Sequence, residues 1–396
     1  MTMQSGHAKR IKKTSSTDPQ EECGSLSLVV PGRIAQRIRV FTAGKWGTSN
    51  RQISYSQDPE ASLNLGQPLT SKSVSLGECD DSNKKSDLNV VNIGTYKGFP
   101  CIGNPKSYLE IKPLPSSTGG YRPEFTLDRF DIDDLSVGIV SLRGMSHQCF
   151  GTPRQDAAAY RITRDGRYLI FAIADGISQG KLSQVGADYV VKQALRITEN
   201  ILSMSIEENA LRSVDWAAVE ESVRNRLLEQ AKELERQGLF SVEGAASPGT
   251  YAQIIGTTAE VLIVKRNISS CGSHEFVRVV LSGDGSGYKL DKSNGWSILS
   301  LGKLNNTGLA TNAVTPLPIK AEGYPSVQYG KICSGQMVMV VTDGIGDMGI
   351  GSGNAASCYF QRVLSEPLSA HDLLTTFSLV ENQKDDDRTA VIVWAS

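Results

Sequence analysis

From Ser136 onward the chain predicts an α+β fold, with a long N-terminal extension ahead of it, and three observations carry the prediction. Apolar runs of strand length recur in VGIVSL, YLIFAIA, TAEVLIVK, FVRVVLS, MVMVVT and AVIVWA, and several have the Val- and Ile-rich composition of buried strands. Between them lie longer stretches whose apolar residues fall at helical spacing. The 396 residues are 39% hydrophobic and 21% charged, which supplies a sizeable core for two domains, or for one large domain with an extension.

Taken in order, residues 1–25 are polar and carry the run KRIKK at 9–13, the composition of a disordered tail; a nucleic-acid or partner-binding arm is the weaker alternative. Residues 26–125 combine short strand-like pieces (SLSLVV, RIRVFTAG, LNVVNIG, SYLEIKP) with polar loops, and PLPSSTGGYRP at 113–123 has linker composition. This predicts a β-rich, loop-rich region and linker, with a compact domain over 126–396. Within that domain, helices are predicted over 183–202, 216–238 and 371–380. In the second of these Val219, Val223, Leu227, Ala231 and Leu234 share one face, with Asp215 as N-cap and Gly238 as stop.

Composition excludes several function classes. A net charge of −1 makes no electrostatic case for nucleic acid or an acidic membrane. No run of about 18 apolar residues suggests a membrane span, and the N-terminus lacks the apolar segment of a secretory signal. The seven cysteines show no C-x-x-C spacing, so a reduced, cytoplasmic protein is expected rather than a disulfide scaffold. With only four histidines, any bound metal is expected to take oxygen ligands.

The sharpest local signal is an acid at the end of an apolar run. LIFAIADGISQG places Asp175 and Gly176 after a buried strand. VRVVLSGDGSG does the same with Asp284 and MVMVVTDGIGD with Asp343. In KDDDRTAVIVWA the acids Asp385, Asp386 and Asp387 precede the strand, and in TPRQDAAAY Asp156 precedes another. Asp-Gly is also a common turn dipeptide, and one such site would mean little. A carboxylate at a buried strand end is costly to desolvate unless a cation or hydrogen bonds compensate it. Several acids converging at one sheet end make an oxygen-ligand site for a hard divalent ion, and glycine lets the backbone approach it.

These segments, in this order, resemble the protein phosphatase 2C family of metal-dependent Ser/Thr phosphatases, most closely its bacterial branch. GMSHQCFGTPRQDAAAY, YLIFAIADGISQGKLSQVGADYVV, GTTAEVLIV, LSGDGSGYKL, VVTDGIGD and DDDRTAVIV are similar to the family's successive motifs, from about residue 136 to the end. The resemblance implies an α-β-β-α sandwich: two antiparallel sheets packed face to face, with helices outside both. It implies hydrolysis of phosphoserine and phosphothreonine on proteins by a hydroxide bridging two Mn²⁺ or Mg²⁺ ions, with a third ion in some members. By position, Asp175 bridges the ions, Gly176 offers its carbonyl, Asp343 and Asp386 complete one shell, Asp156 serves the other, and Asp284 matches the acid near a third ion. Asp175 and Asp156 are thereby catalytic as well as metal-binding. Where relatives carry a phosphate-gripping arginine, this chain offers His147 and Arg154. The implied partners are phosphorylated proteins, a Ser/Thr kinase or its targets.

Departures from the pattern keep a second function open. Gln155 stands where many members have Glu, Ile177 where animal members have His, and Asp387 where Asn is usual. Gln155 and Ile177 allow a phosphatase-like module that binds phosphoproteins or a partner without turnover, although retention of every main Asp argues against it. A haloacid-dehalogenase-type reading fails because position 177 is Ile rather than a second Asp. A Ca²⁺ loop over GDGSGYKLDKSNG fails for want of the closing Glu.

Overall fold

The computed structural model describes residues 94–96, 99–102, 112 and 122–396, apart from 206–209, 243, 245, 268, 270–271, 301–313 and 382–384. The N-terminal tail and the strands expected in residues 25–93 and 107–111 fall outside these residues. In chain order the elements are β1 (Gly94–Tyr96), β2 (Phe99–Ile102), β3 (Phe125–Ile132), β4 (Leu135–Leu142), α1 (Met145–Phe150), β5 (Ala157–Ile162) and β6 (Tyr168–Ala174). There follow α2 (Ser183–Met204), α3 (Ala210–Ser213), α4 (Trp216–Arg236), α5 (Pro248–Ile255), β7 (Ala259–Lys265), β8 (Ser273–Ser282), β9 (Ser286–Asp291) and β10 (Gly295–Ser300). The chain ends with β11 (Ser326–Cys333), β12 (Gln336–Val341), α6 (Asp343–Gly346), α7 (Ala355–Leu364), α8 (Ala370–Phe377), β13 (Val380–Glu381) and β14 (Arg388–Ala395).

Two antiparallel sheets dominate, a six-stranded one in the order β10-β9-β12-β14-β4-β3 and a five-stranded one in the order β11-β8-β7-β6-β5. Alternate residues of each strand point to opposite faces, and here both faces are covered. Val137, Ile139, Val338 and Val391 of one sheet share a buried layer with Leu169, Phe171, Leu262 and Phe276 of the other. On the far side of the five-stranded sheet, Ile170, Val261 and Val277 pack with Val190 and Leu195 of α2 and Val223 and Leu227 of α4. On the far side of the six-stranded sheet, Met339, Ile392 and Trp394 pack with Phe360 of α7 and Leu373 and Phe377 of α8. This is the α-β-β-α sandwich. Its double burial explains why the strands read as unbroken apolar runs, where a half-solvated antiparallel sheet would alternate.

The helix pattern holds in detail for α4. The side chain of Asp215 accepts from the Ala218 N–H, all five residues of the predicted face are buried, and Gly238 has φ +74° just past the end. For α8 the predicted end differs: the helix stops at Phe377, and Val380 instead pairs in parallel with Cys101 of β2. The carbonyls of Phe377 and Leu379 accept from the Arg388 guanidinium, a tertiary cap with no local signal. Leu227 is fully buried between α4 and the sheet. Leu227→Ala is therefore expected to lower the unfolding free energy by about 2–5 kcal/mol. The exposed Arg226→Ala should stay within about 0.5 kcal/mol in the same urea titration.

Candidate metal centre

Register explains why some acids follow strands and others precede them. Neighbouring antiparallel strands present alternate ends at one edge of a sheet. The C-terminal ends of β6, β8 and β12 thus lie beside the N-terminal ends of β5, β7 and β14. Ala157 pairs with Ala174, so Asp156 and Asp175 leave the five-stranded sheet side by side, with their carboxyl groups within hydrogen-bonding reach of each other. Val341 pairs with Ala390, which sends Asp343 and the Asp386–Asp387 pair off the same end of the other sheet. Asp284 lies in the turn between β8 and β9 and shares a small cavity with Asp175, Asp343 and Glu260.

Each acid is held from behind. The Asp175 N–H donates to Thr258 Oγ1 at 2.9 Å, and the Asp175 carbonyl accepts from the Thr258 N–H at 2.7 Å and from Thr257 Oγ1 at 2.8 Å. Oδ2 of the buried Asp156 accepts from the hydroxyls of Thr342 at 2.8 Å and Thr389 at 2.7 Å. Because the Thr389 proton goes to Asp156, the Ser141 hydroxyl at 2.6 Å must donate to Thr389. Ser141 in turn accepts from Arg154 Nη1. Glycine permits the close approaches. A Cβ on Gly144 would lie 2.3 Å from the Asp386 carbonyl carbon, and one on Gly176 would lie 2.9 Å from the Ser183 backbone at the start of α2.

Two of the expected residues sit deeper than a solvent-facing phosphate grip requires. Arg154 is 2% exposed, and Nη1 also donates to Thr126 Oγ1 at 3.2 Å. Burial first, and the nearby Arg122 second, bring its pKa down to about 10. His147 is 8% exposed and lies in α1. Its Nδ1 is 2.8 Å from Asp387 Oδ1 and its Nε2 is 3.9 Å from Asp386 Oδ1. Burial alone would lower the His147 pKa, but the hydrogen bond and charge of Asp387 outweigh it and raise it. Burial alone would raise Asp387. The hydrogen bond and charge of His147, with the N–H groups of Gly144 and Gln155, lower it instead. Ligand atoms of His147, Asp386 and Asp387 lie within 4.8 Å of one another. His147 and Asp387 thus form a hydrogen-bonded pair that adjoins Asp386 and the acid cluster.

At Asp156, Asp175 and Asp386 burial and neighbouring carboxylates win instead. Burial, then the charge of Asp387, pushes Asp156 up to about 7. Burial, then Asp343 and Asp387, pushes Asp386 up to about 6. Burial, then Asp156, Asp343 and Asp386, holds Asp175 well above the usual carboxylate range. Asp156 Oδ1 and Gln155 Oε1 are buried without a hydrogen-bond partner. Crowded carboxylates with raised pKa values and orphaned oxygens fit hard divalent cations with oxygen ligands.

Several supporting residues were not singled out from sequence. Thr342 and Thr389 adjoin motif acids, and their repetition beside Asp343 and Asp387 was the available signal. Thr257 and Thr258, within the GTTAEVLIV motif, anchor the Asp175 backbone. Arg122 lies in the expected linker yet is 7% exposed. It donates to the carbonyls of Arg154, Gln184 and Asp156 and to Asp188 Oδ1 at 2.8 Å. Nothing local in YRP marks it.

The architecture is a two-sheet sandwich between helices, with carboxylates gathered at one end. The sequence matches the Protein phosphatase 2C family over residues 143–379, more than half of the chain. The chain belongs to that family. No curated protein sequence matches it. Among solved structures, it is similar to a serine/threonine phosphatase of S. agalactiae, with 14% identity, TM-score 0.45, and coverage of 66% of this chain and 100% of that one. It is also similar to the serine/threonine phosphatase Stp1 of Staphylococcus aureus, with 14% identity, TM-score 0.46, and coverage of 66% and 94%. PppA of Pseudomonas aeruginosa, described as a key regulatory component of T6SS, gives 16% identity, TM-score 0.42, and coverage of 67% and 99%.

The raised pKa values set the pH response. The unfolded chain releases these protons near pH 4, whereas the folded, metal-free protein keeps them up to about 6 and 7 at Asp386 and Asp156. Folded protein therefore binds more protons in that window, and the cluster's contribution to stability is lost as pH rises through it. Asp175→Asn removes one repelling charge. In EDTA above about pH 7 the variant is expected to melt at a higher temperature than wild type, while added Mn²⁺ stabilises wild type much more than the variant. A variant that melts lower in EDTA and gains equally from Mn²⁺ contradicts this account of the cluster.

Proposed function

We propose that this chain hydrolyses phosphoserine and phosphothreonine monoesters on proteins, with Mn²⁺ or Mg²⁺ held by the acid cluster. The observation that carries the reading is the convergence of Asp156, Asp175, Asp343 and Asp386 at one end of the sandwich, with Asp156, Asp175 and Asp386 pushed toward protonation by burial and by neighbouring carboxylates. Asp175, Asp343, Asp386 and the Gly176 carbonyl would hold one ion, Asp175 and Asp156 a second, and Asp284 a third. Such ions, when bound, supply Lewis-acid activation of water and neutralise phosphoryl charge. The chain's own residues orient the ligands. Thr257 and Thr258 fix Asp175, the Thr342 and Thr389 hydroxyls turn Asp156, and Arg154 supports Asp156 through Ser141 and Thr389. His147 hydrogen-bonds Asp387 through Nδ1 and turns Nε2 toward Asp386 at 3.9 Å. In this reading Arg154 acts through other residues, and His147 is the better candidate to meet substrate.

The proposal takes 126–396 as the catalytic domain. Arg122 and Phe125, at the start of β3, belong with it through the contacts above. Among the described residues no helix is long and apolar enough to cross a membrane. Among the described residues, the exposed thiols of Cys333 and Cys358 support a reducing, cytoplasmic setting. The alternative, a module that captures phosphoproteins without turnover, is favoured only by Gln155 and Ile177. Ile177 packs on Gly180 and Gly256 and brings no acid to the site.

The full chain is expected to release phosphate from a phosphoserine or phosphothreonine peptide in Mn²⁺. Asp175→Asn should lower the rate at least about 10²-fold. Undiminished wild-type turnover in excess EDTA would sink the metal-dependent reading. Absence of Mn²⁺ binding by calorimetry at millimolar metal would favour capture without turnover.

A further inference from the structure

A second charged cavity lies at the opposite end of the five-stranded sheet. It has a volume of about 240 Å³ and is lined by Arg212, Lys265, Lys331, Glu275 and Tyr329. β7 runs seven residues from the metal end to Lys265, so the cavity is about 20 Å from the acids at ~3.3 Å per residue. Lys331 pairs with Glu275 across β11 and β8, and the two groups are 3.3 Å apart. The Arg212 guanidinium lies over the Tyr329 ring at 4.7 Å. Among the described residues, neither Arg212 nor the half-buried Lys265 meets a carboxylate. Among the described residues that line it, three cations against one acid leave two charges positive, and a concave site with an excess of one sign concentrates counter-ions.

We propose that this cavity binds a phosphate-monoester dianion. Charge selects the class, since two net positive charges match a dianion better than a single carboxylate. Geometry supports it. Stacking on Tyr329 pre-positions the Arg212 fork, and Lys331 is held at the rim by Glu275. Lys265 stands in the same cross-strand row as Glu275 and Lys331, with its ammonium uncommitted. The ligand's phosphate could belong to a phosphorylated protein side chain or to a free nucleotide, and the cavity chemistry is shared by both. The site is separate from the acid cluster and does not depend on turnover there.

The test is calorimetry on the full chain in EDTA, where the metal-free acid end repels anions. The probes are a phosphoserine peptide, adenosine monophosphate, inorganic phosphate and a glutamate-containing peptide. Saturable one-to-one binding of a phosphorylated probe is expected. Lys265→Gln/Lys331→Gln should weaken it at least about tenfold, with an unchanged circular dichroism spectrum, and Asp175→Asn should leave it intact. Preference for the phosphopeptide assigns the site to protein docking, and preference for the mononucleotide assigns it to a small-molecule effector. Absence of binding by every phosphate probe overturns the proposal, as does an unaffected double variant, equal binding of the glutamate peptide, or loss of binding in Asp175→Asn.

Discussion

Carboxylates gathered in a poorly solvated space repel one another, and the centre of this protein is organised around that repulsion. Asp156, Asp175 and Asp386 are driven toward protonation by burial and by their neighbours. A chain free to relax would separate them. What prevents separation is the sandwich behind them, because Asp156 and Asp175 stand immediately outside β5 and β6, and Asp386 two residues ahead of β14, strands whose register is set by a buried apolar layer. A one-residue slip would exchange the faces of that strand and bury the wrong side chains, so the core holds the acids against their own electrostatics.

The acids divide into two groups with different chemistry. Asp387 is satisfied by His147 and by the N–H groups of Gly144 and Gln155. It therefore joins the first-motif segment to the last strand. Asp156 has one oxygen satisfied by two threonine hydroxyls and the other left bare, the arrangement expected of a ligand that must be aimed yet remain available. Three buried arginines fasten the same segment. Arg122 joins it to α2, Arg154 joins it to Ser141 and Thr126, and Arg143 donates to the carbonyls of His147 and Thr152 and to Glu124. A segment rich in polar backbone, packed between two sheets, needs such donors.

A further ion pair stiffens the β8–β9 turn that carries Asp284. Arg278 is fully buried and binds Glu260 through two bonds, at 2.5 and 2.8 Å, and the Gly285 carbonyl at 2.8 Å. Burial raises Glu260 despite Arg278, so the pair offers directional hold more than net stability. Glu260 faces the acid cavity with its charge already answered by Arg278, beside Asp175, Asp284 and Asp343.

The sequence by itself determined the strands, the main helices and the identity of the acids, because these rest on local periodicity and on a chemical oddity, an acid at the end of an apolar run. Asp215, the buried face of α4 and Asp175 could all be read from neighbours in the chain. Only the tertiary structure decided the rest. That Asp387 belongs to His147, that Arg154 faces inward to Ser141, that Arg122 is a clamp rather than linker, and that α8 ends early in favour of pairing with β2 depend on contacts between residues far apart in sequence. Such contacts follow from the register of two sheets and from which polar groups their packing leaves to be satisfied, and no window along the chain contains that information.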